Sequence, residues 1–166
     1  MMTDLENPEL DLKISRIIKA PPTIVWDAWT DPRKLEQWWV PAPSKVRVVS
    51  LDLRPGGAFV TKIDEVGDGT AFTSHINACI LDVQPLRRIV FTDTLTAGWR
   101  PSEQPFMTGI FSFHEHPEGT QYVACAMHKS PADRKTHADL GFFDGWGTVT
   151  EQLARLVETG TYTGSH

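Results

Sequence analysis

Gly141-Phe142-Phe143-Asp144-Gly145-Trp146-Gly147-Thr148-Val149-Thr150-Glu151-Gln152-Leu153-Ala154-Arg155-Leu156 is the stretch on which the fold turns. Its apolar residues Phe142, Trp146, Val149, Leu153 and Leu156 recur at intervals of four, three, four and three, which is one stripe of an α-helix. The opposite face carries Asp139, Asp144, Glu151, Arg155 and Glu158. Upstream, Ser130 is placed as N-cap, Pro131 at the first helical position and Asp133 at the third, and no proline follows, so one long helix is predicted from Pro131 onward. Glycines 141, 145 and 147 each weaken a helix interior by about 1 kcal/mol, a cost that marks close packing or a kink. A helix with a single apolar stripe has to lay it on a partner surface.

That surface lies upstream. Leu10–Ile17 alternates apolar and polar residues and reads as a half-buried strand. From Pro22 the pattern turns helical (Ile24, Val25, Ala28, Trp29), and Asp31 caps a second short helix that begins at Pro32 and runs to about Trp38. Six strands are then predicted at 46–53, 57–65, 71–83, 88–95, 106–114 and 120–128, separated by short turns such as Arg54-Pro55-Gly56-Gly57 and Pro117-Glu118-Gly119 that make antiparallel hairpins. The longer connection at 98–105 contains two prolines that cannot serve a central ladder. The predicted class is α+β: a strand, two short helices, a six-strand antiparallel meander, and a long C-terminal helix over the concave face. One domain spans residues 10–158, with flexible ends at 1–9 and 159–166.

Composition agrees with one soluble domain and removes several classes of function. The 166 residues suit a single core, and 40% hydrophobic with 22% charged residues excludes disorder. Sixteen basic against 21 acidic residues, spread without a basic cluster, argue against nucleic acid and anionic membrane as partners. The start of the chain has neither a basic nor an apolar segment of the signal-peptide kind, and Cys79 and Cys125 sit in apolar runs without CxxC spacing, so a cytoplasmic location with buried thiols is expected. Six tryptophans against two tyrosines demand either a large core or a cavity to line.

Several segments resemble one family. They are Pro21-Pro22-x-x-Val25-Trp26-x-Ala28-Trp29-Thr30-Asp31-Pro32, the Trp38-Trp39 pair, Asp52-Leu53-Arg54-Pro55-Gly56-Gly57, Gln84-Pro85-Leu86-Arg87-Arg88-Ile89-Val90-Phe91-Thr92, and Gly141-Phe142-Phe143-Asp144-Gly145-Trp146 through Gln152-Leu153. Together they are similar to the bacterial single-domain relatives of the activator of the ninety-kilodalton heat-shock chaperone's ATPase. That family belongs to the helix-grip superfamily of steroidogenic-acute-regulatory-type and birch-pollen-allergen-like proteins. The resemblance implies a helix-grip fold over about residues 10–158. These motifs are mostly turns and packing positions, and a fold does not by itself carry an activity.

The candidate site is therefore the wedge between sheet and helix. Trp38, Trp39, Phe59, Phe72, Phe91, Phe106, Phe111, Phe142 and Trp146 are the aromatics expected to line it or to fill the core, with Pro41-Ala42-Pro43 as part of a lid. Alternation along the strand at 88–95 puts Asp93 on the face of Ile89 and Phe91, unless the strand ends before it. Tyr122, Ala124, Ala126 and His128 share a face of the last strand, and the alanines leave volume there. His75 lies on a strand long enough to hold a bulge, so its face is open. His114 and His116 share a face at a hairpin end with no third ligand, so no metal is expected, and no His-Glu-x-x-His, Gly-x-Ser-x-Gly or phosphate loop calls for a cofactor.

Three functions fit these residues. The first is a non-enzymatic module that holds a hydrophobic or amphipathic small molecule, oriented by Asp93 or His128, in a monomer or weak homodimer. The second is an enzyme of the cyclase, aromatase or hydrolase type found in the same superfamily, using the same groups as acid and base. The third is a stress-related partner of the chaperone.

Overall fold

A computed structural model describes residues 7–159. β1 (Asp11–Ile18) is followed by α1 (Pro22–Thr30) and α2 (Pro32–Leu35), then β2 (Lys45–Leu51), β3 (Ala58–Asp64), β4 (Thr73–Gln84) and β5 (Arg88–Thr92). A small hairpin of β6 (Leu95–Thr96) and β7 (Arg100–Pro101) leads to β8 (Met107–His116), β9 (Gly119–His128), α3 (Pro131–Asp139) and α4 (Phe142–Glu158). The main sheet has seven antiparallel strands in the order β1-β9-β8-β5-β4-β3-β2. The long C-terminal helix lies over its concave face, as a helix-grip fold requires. The expected flexible ends lie outside the described residues, apart from residues 7–9 and Thr159.

Local chemistry places the elements. Pro22 and Pro32 open their helices where the missing N–H costs nothing, and the Asp31 carboxylate accepts the Arg33 N–H at 2.9 Å. α1 buries Val25, Ala28 and Trp29 against β8, β9 and α4. β1 pairs with β9 from Asp11↔Met127 to Ile18↔Thr120, which brings the two ends of the domain together. Arg16 on β1 makes two bonds to the Glu151 carboxylate, at 2.6 and 3.0 Å, and so ties that edge to α4. The core joins Ile18, Trp29, Trp38, Phe59, Ile80, Phe91, Phe111, Tyr122 and Leu153.

Three local readings are corrected. The second short helix ends at Leu35, not near Trp38, and both Trp38 and Trp39 sit in the turns that follow. Pro101 does enter a strand, but a two-residue one in an edge hairpin, where a missing N–H is tolerated. The stretch from Pro131 is two helices, because Gly141 adopts φ 98° and breaks the backbone between them. The expected cap does form at Ser130, whose hydroxyl accepts the Asp133 N–H at 3.1 Å.

Candidate functional site

Between α4 and the sheet lies a cavity of about 320 Å³. β8 and β9 supply its floor through Met107, Phe111, Tyr122 and Ala124, and Ile63 of β3, Ile76 of β4 and Phe91 of β5 extend it. Its roof is Gly145, Trp146, Val149 and Thr150 of α4, with His137 contributed by α3. Trp38, Trp39, Val40 and Pro41 close one end. Trp146 and Val149 are therefore only partly buried although they lie on the apolar stripe: they face the cavity.

One side chain pins that end wall. Gln152 of α4 donates from Nε2 to the carbonyls of Trp38 (3.0 Å) and Val40 (2.8 Å), while its Oε1 accepts the Ala42 N–H (2.9 Å). Of the Pro41-Ala42-Pro43 segment expected to act as part of a lid, Ala42 is thus bonded to α4 directly, and the other two bonds fix the residues just before it.

The structure separates the predicted residues into groups. Trp38, Trp39, Phe91, Phe111, Tyr122 and Trp146 reach the cavity, as does His75. Phe59 does not: it is fully buried beneath, packed on Trp29, Trp39 and Phe91 at centroid distances of 5.0–5.8 Å. Phe72 precedes β4, and its ring lies under the Arg47 guanidinium, 4.1 Å away and outside the cavity. Phe106 precedes β8 and packs on His128 and His137. Phe142 fills a second small core with Leu12 and Ala126.

The polar candidates are placed just as definitely. β5 ends at Thr92, so Asp93 leaves the alternation and its Oδ1 accepts the N–H groups of Phe106 (2.8 Å) and Met107 (2.9 Å). Asp93 borders a second, polar hollow with Ser74, Asn77, Arg100 and Glu103, which shares His75, Ile76, Phe91 and Met107 with the apolar cavity. His75 lies in a β-bulge, since β4 spends an extra residue opposite β3 between Ser74 and Asn77. The Thr61 hydroxyl sits 2.9 Å from its Nδ1 and accepts the Ile76 N–H. Desolvation of the His75 ring lowers its pKa, and Glu65 partly offsets this.

His128 is 5% exposed and does not reach the cavity directly. Its Nδ1 lies 2.7 Å from the Leu10 carbonyl and its Nε2 lies 2.8 Å from Nδ1 of His137. Burial, and then the proximity of His128, push the His137 pKa from 6.5 down to about 4. Tyr122 accepts the Trp29 Nε1–H at 3.3 Å, and full burial raises its pKa. The buried Nε1 of Trp39 has no hydrogen-bond partner among the described residues.

Sequence reasoning missed His137. In a continuous helix it would lie well off the stripe through Phe142 and Trp146, and only the break at Gly141 turns α3 so that the ring meets Phe142 and Trp146 at 5.2 and 5.8 Å. No group of three or more His, Cys, Asp or Glu side chains poised for a metal occurs among the described residues. Among those residues, no helix is long and apolar enough to cross a membrane.

Comparison with known proteins places this architecture. The family model described as Activator of Hsp90 ATPase homolog 1-like protein matches residues 19–158. A crystal structure of a Nitrosomonas europaea protein is similar at 35% identity and a TM-score of 0.83, covering 95% of this chain and 99% of that one. A Mycobacterium smegmatis protein is similar at 26% identity and a TM-score of 0.73, covering 92% and 93%. The solution structure of an AHSA1-like protein from Aeromonas hydrophila shares the fold at 19% identity, with a TM-score of 0.66 and coverage of 95% and 98%. No curated protein matches the chain.

Proposed function

Taking as premise that the chain belongs to the family of Activator of Hsp90 ATPase homolog 1-like proteins, we propose that it binds a small, largely apolar molecule in the cavity under α4. The observation that carries this reading is the cavity itself, about 320 Å³ with walls of Trp38, Trp39, Phe91, Phe111, Trp146 and Val149. Ligand pockets run from roughly 300 to 1,000 Å³, so this one suits a body of one or two fused rings and is too small for a whole lipid. The adjoining polar hollow, with Arg100 and Glu103 at its edge, suits a polar end on the same molecule.

Binding is favoured over acid-base catalysis because the groups suggested for catalysis are committed elsewhere. Asp93 is held by two backbone amides, and both ring nitrogens of His128 are engaged within the protein.

Gly145 supplies the test. It lines the roof, and a Cβ built there meets nothing within 4 Å. Gly145→Leu would place its side chain in the cavity while raising helix propensity by nearly 1 kcal/mol, so occupancy and stability move in opposite directions. We expect the variant to melt no lower than the wild type and to bind 2-methylnaphthalene, followed by tryptophan fluorescence, at least about tenfold more weakly. Unchanged affinity would remove the cavity as the binding site.

A further inference from the structure

We infer that the molecule bound in the α4 cavity carries an uncharged hydroxyl, which donates its proton to Nε2 of His137. This rests on the cavity reading above and narrows the chemistry of the ligand.

One backbone carbonyl fixes where the protons sit. Leu10 O can only accept, and it receives both the backbone N–H of His128 (3.0 Å) and Nδ1 of the same ring (2.7 Å). Nδ1 of His128 therefore carries a proton. With that ring uncharged, its Nε2 holds a lone pair, and the group 2.8 Å away, Nδ1 of His137, must be the donor. An uncharged His137 is then left with its lone pair on Nε2. The carbonyl of Leu10 thus sets the tautomer of a second histidine through the first.

His137 is a wall residue of the cavity, and the bond to His128 is the one its ring makes among the described residues. Phe106 and Phe142, with centroids 5.0 and 5.2 Å from its ring, offer Nε2 no donor. Neither hydroxyl on the cavity wall bonds to His137: Thr150 gives its proton to the Trp146 carbonyl at 2.7 Å, and the Tyr122 oxygen accepts the Trp29 indole N–H at 3.3 Å. What the apolar wall offers a ligand at His137 is an isolated acceptor.

An isolated acceptor selects by sign. A carboxylate or a carbonyl would face lone pair with lone pair, and an ammonium group would pay for burying its charge among aromatic rings. A neutral hydroxyl satisfies the nitrogen and loses little on leaving water.

Two probes of similar shape read this out. 2-Naphthol carries the donor, whereas 2-methylnaphthalene replaces it with a methyl group. In titrations near about pH 7.5, where His137 is uncharged, His137→Phe should weaken 2-naphthol by about 3- to 10-fold, one net hydrogen bond, and leave 2-methylnaphthalene within about twofold. His75→Phe should leave the ratio of the two affinities unchanged. In the wild-type protein, the ¹⁵N resonance of His137 Nε2 should shift on adding 2-naphthol and stay in place with 2-methylnaphthalene, a readout that needs no variant. Equal losses for both probes in His137→Phe, a ratio that collapses in His75→Phe instead, or a ¹⁵N resonance indifferent to 2-naphthol overturns the inference while leaving the cavity reading intact. Failure of both probes to bind the wild type overturns the cavity reading, and this inference with it.

Discussion

Lowering the pH from about 7.5 to 5 should destabilise the protein through one histidine. In the folded state burial and the neighbouring His128 hold the His137 pKa near 4, against 6.5 for a free imidazole. In that pH interval the unfolded chain takes up a proton that the folded chain refuses. Stability is therefore complete above about pH 6.5, falls as the pH drops through the unfolded value, and stops falling below about pH 4. At pH 5 the unfolded ring is almost wholly protonated and the folded ring about a tenth protonated, which gives a loss of about 2 kcal/mol. Water reaching the ring through the cavity reduces this to about 1–2 kcal/mol. With a urea slope of about 2 kcal/mol/M, the unfolding midpoint should move down by about 0.5–1 M. His75, whose pKa is also lowered, acts in the same direction. The Glu151 and Asp68 carboxylates, held low by Arg16 and by Thr70, take up protons only further down and add little above pH 5. Urea unfolding followed by tryptophan fluorescence at both pH values, in the wild type and in His137→Phe, isolates the ring. The variant should lose most of the pH-dependent shift, and a variant with the full wild-type shift would refute the assignment to His137.

Two further outcomes follow from the packing around the site. Gln152→Ala removes three hydrogen bonds between α4 and residues 38–42; it should cost about 1–3 kcal/mol and speed probe release in stopped-flow fluorescence, and unchanged release would mean that this segment does not gate the cavity. Gly141→Ala forces a Cβ onto a residue at φ 98° with no clash nearby, so backbone strain alone should cost about 1–2 kcal/mol in urea unfolding; a stabilised variant would mean that α3 and α4 can merge into one helix.

The fold was legible because its signals are local and repeated. Two-residue alternation marked β1, short turns bounded the six strands that follow, proline marked the starts of α1, α2 and α3, and the stripe through Phe142 and Leu153 marked the covering helix. The site was legible only in part. Trp38, Trp39, Phe91, Phe111, Tyr122 and Trp146 reach the cavity, whereas Phe72 and Phe106 fall just outside their strands, where alternation no longer says which way a side chain points.

The order of elements and the apolar face of each are written in the sequence, because they depend on neighbours two to four residues apart. How far apart those faces stand is a matter of packing between elements distant in the chain, and it emerges from the three-dimensional structure. Trp29 and Phe59 pack solid, while Ala124 and Gly145, on opposite walls, leave space between sheet and helix. The same packing lets Leu10, 118 residues away from His128 in the chain, set the proton on a histidine that reaches the cavity through a second ring. A broken helix at Gly141 and a strand pairing between β1 and β9 make that chain of contacts, and neither leaves a periodic mark in the sequence.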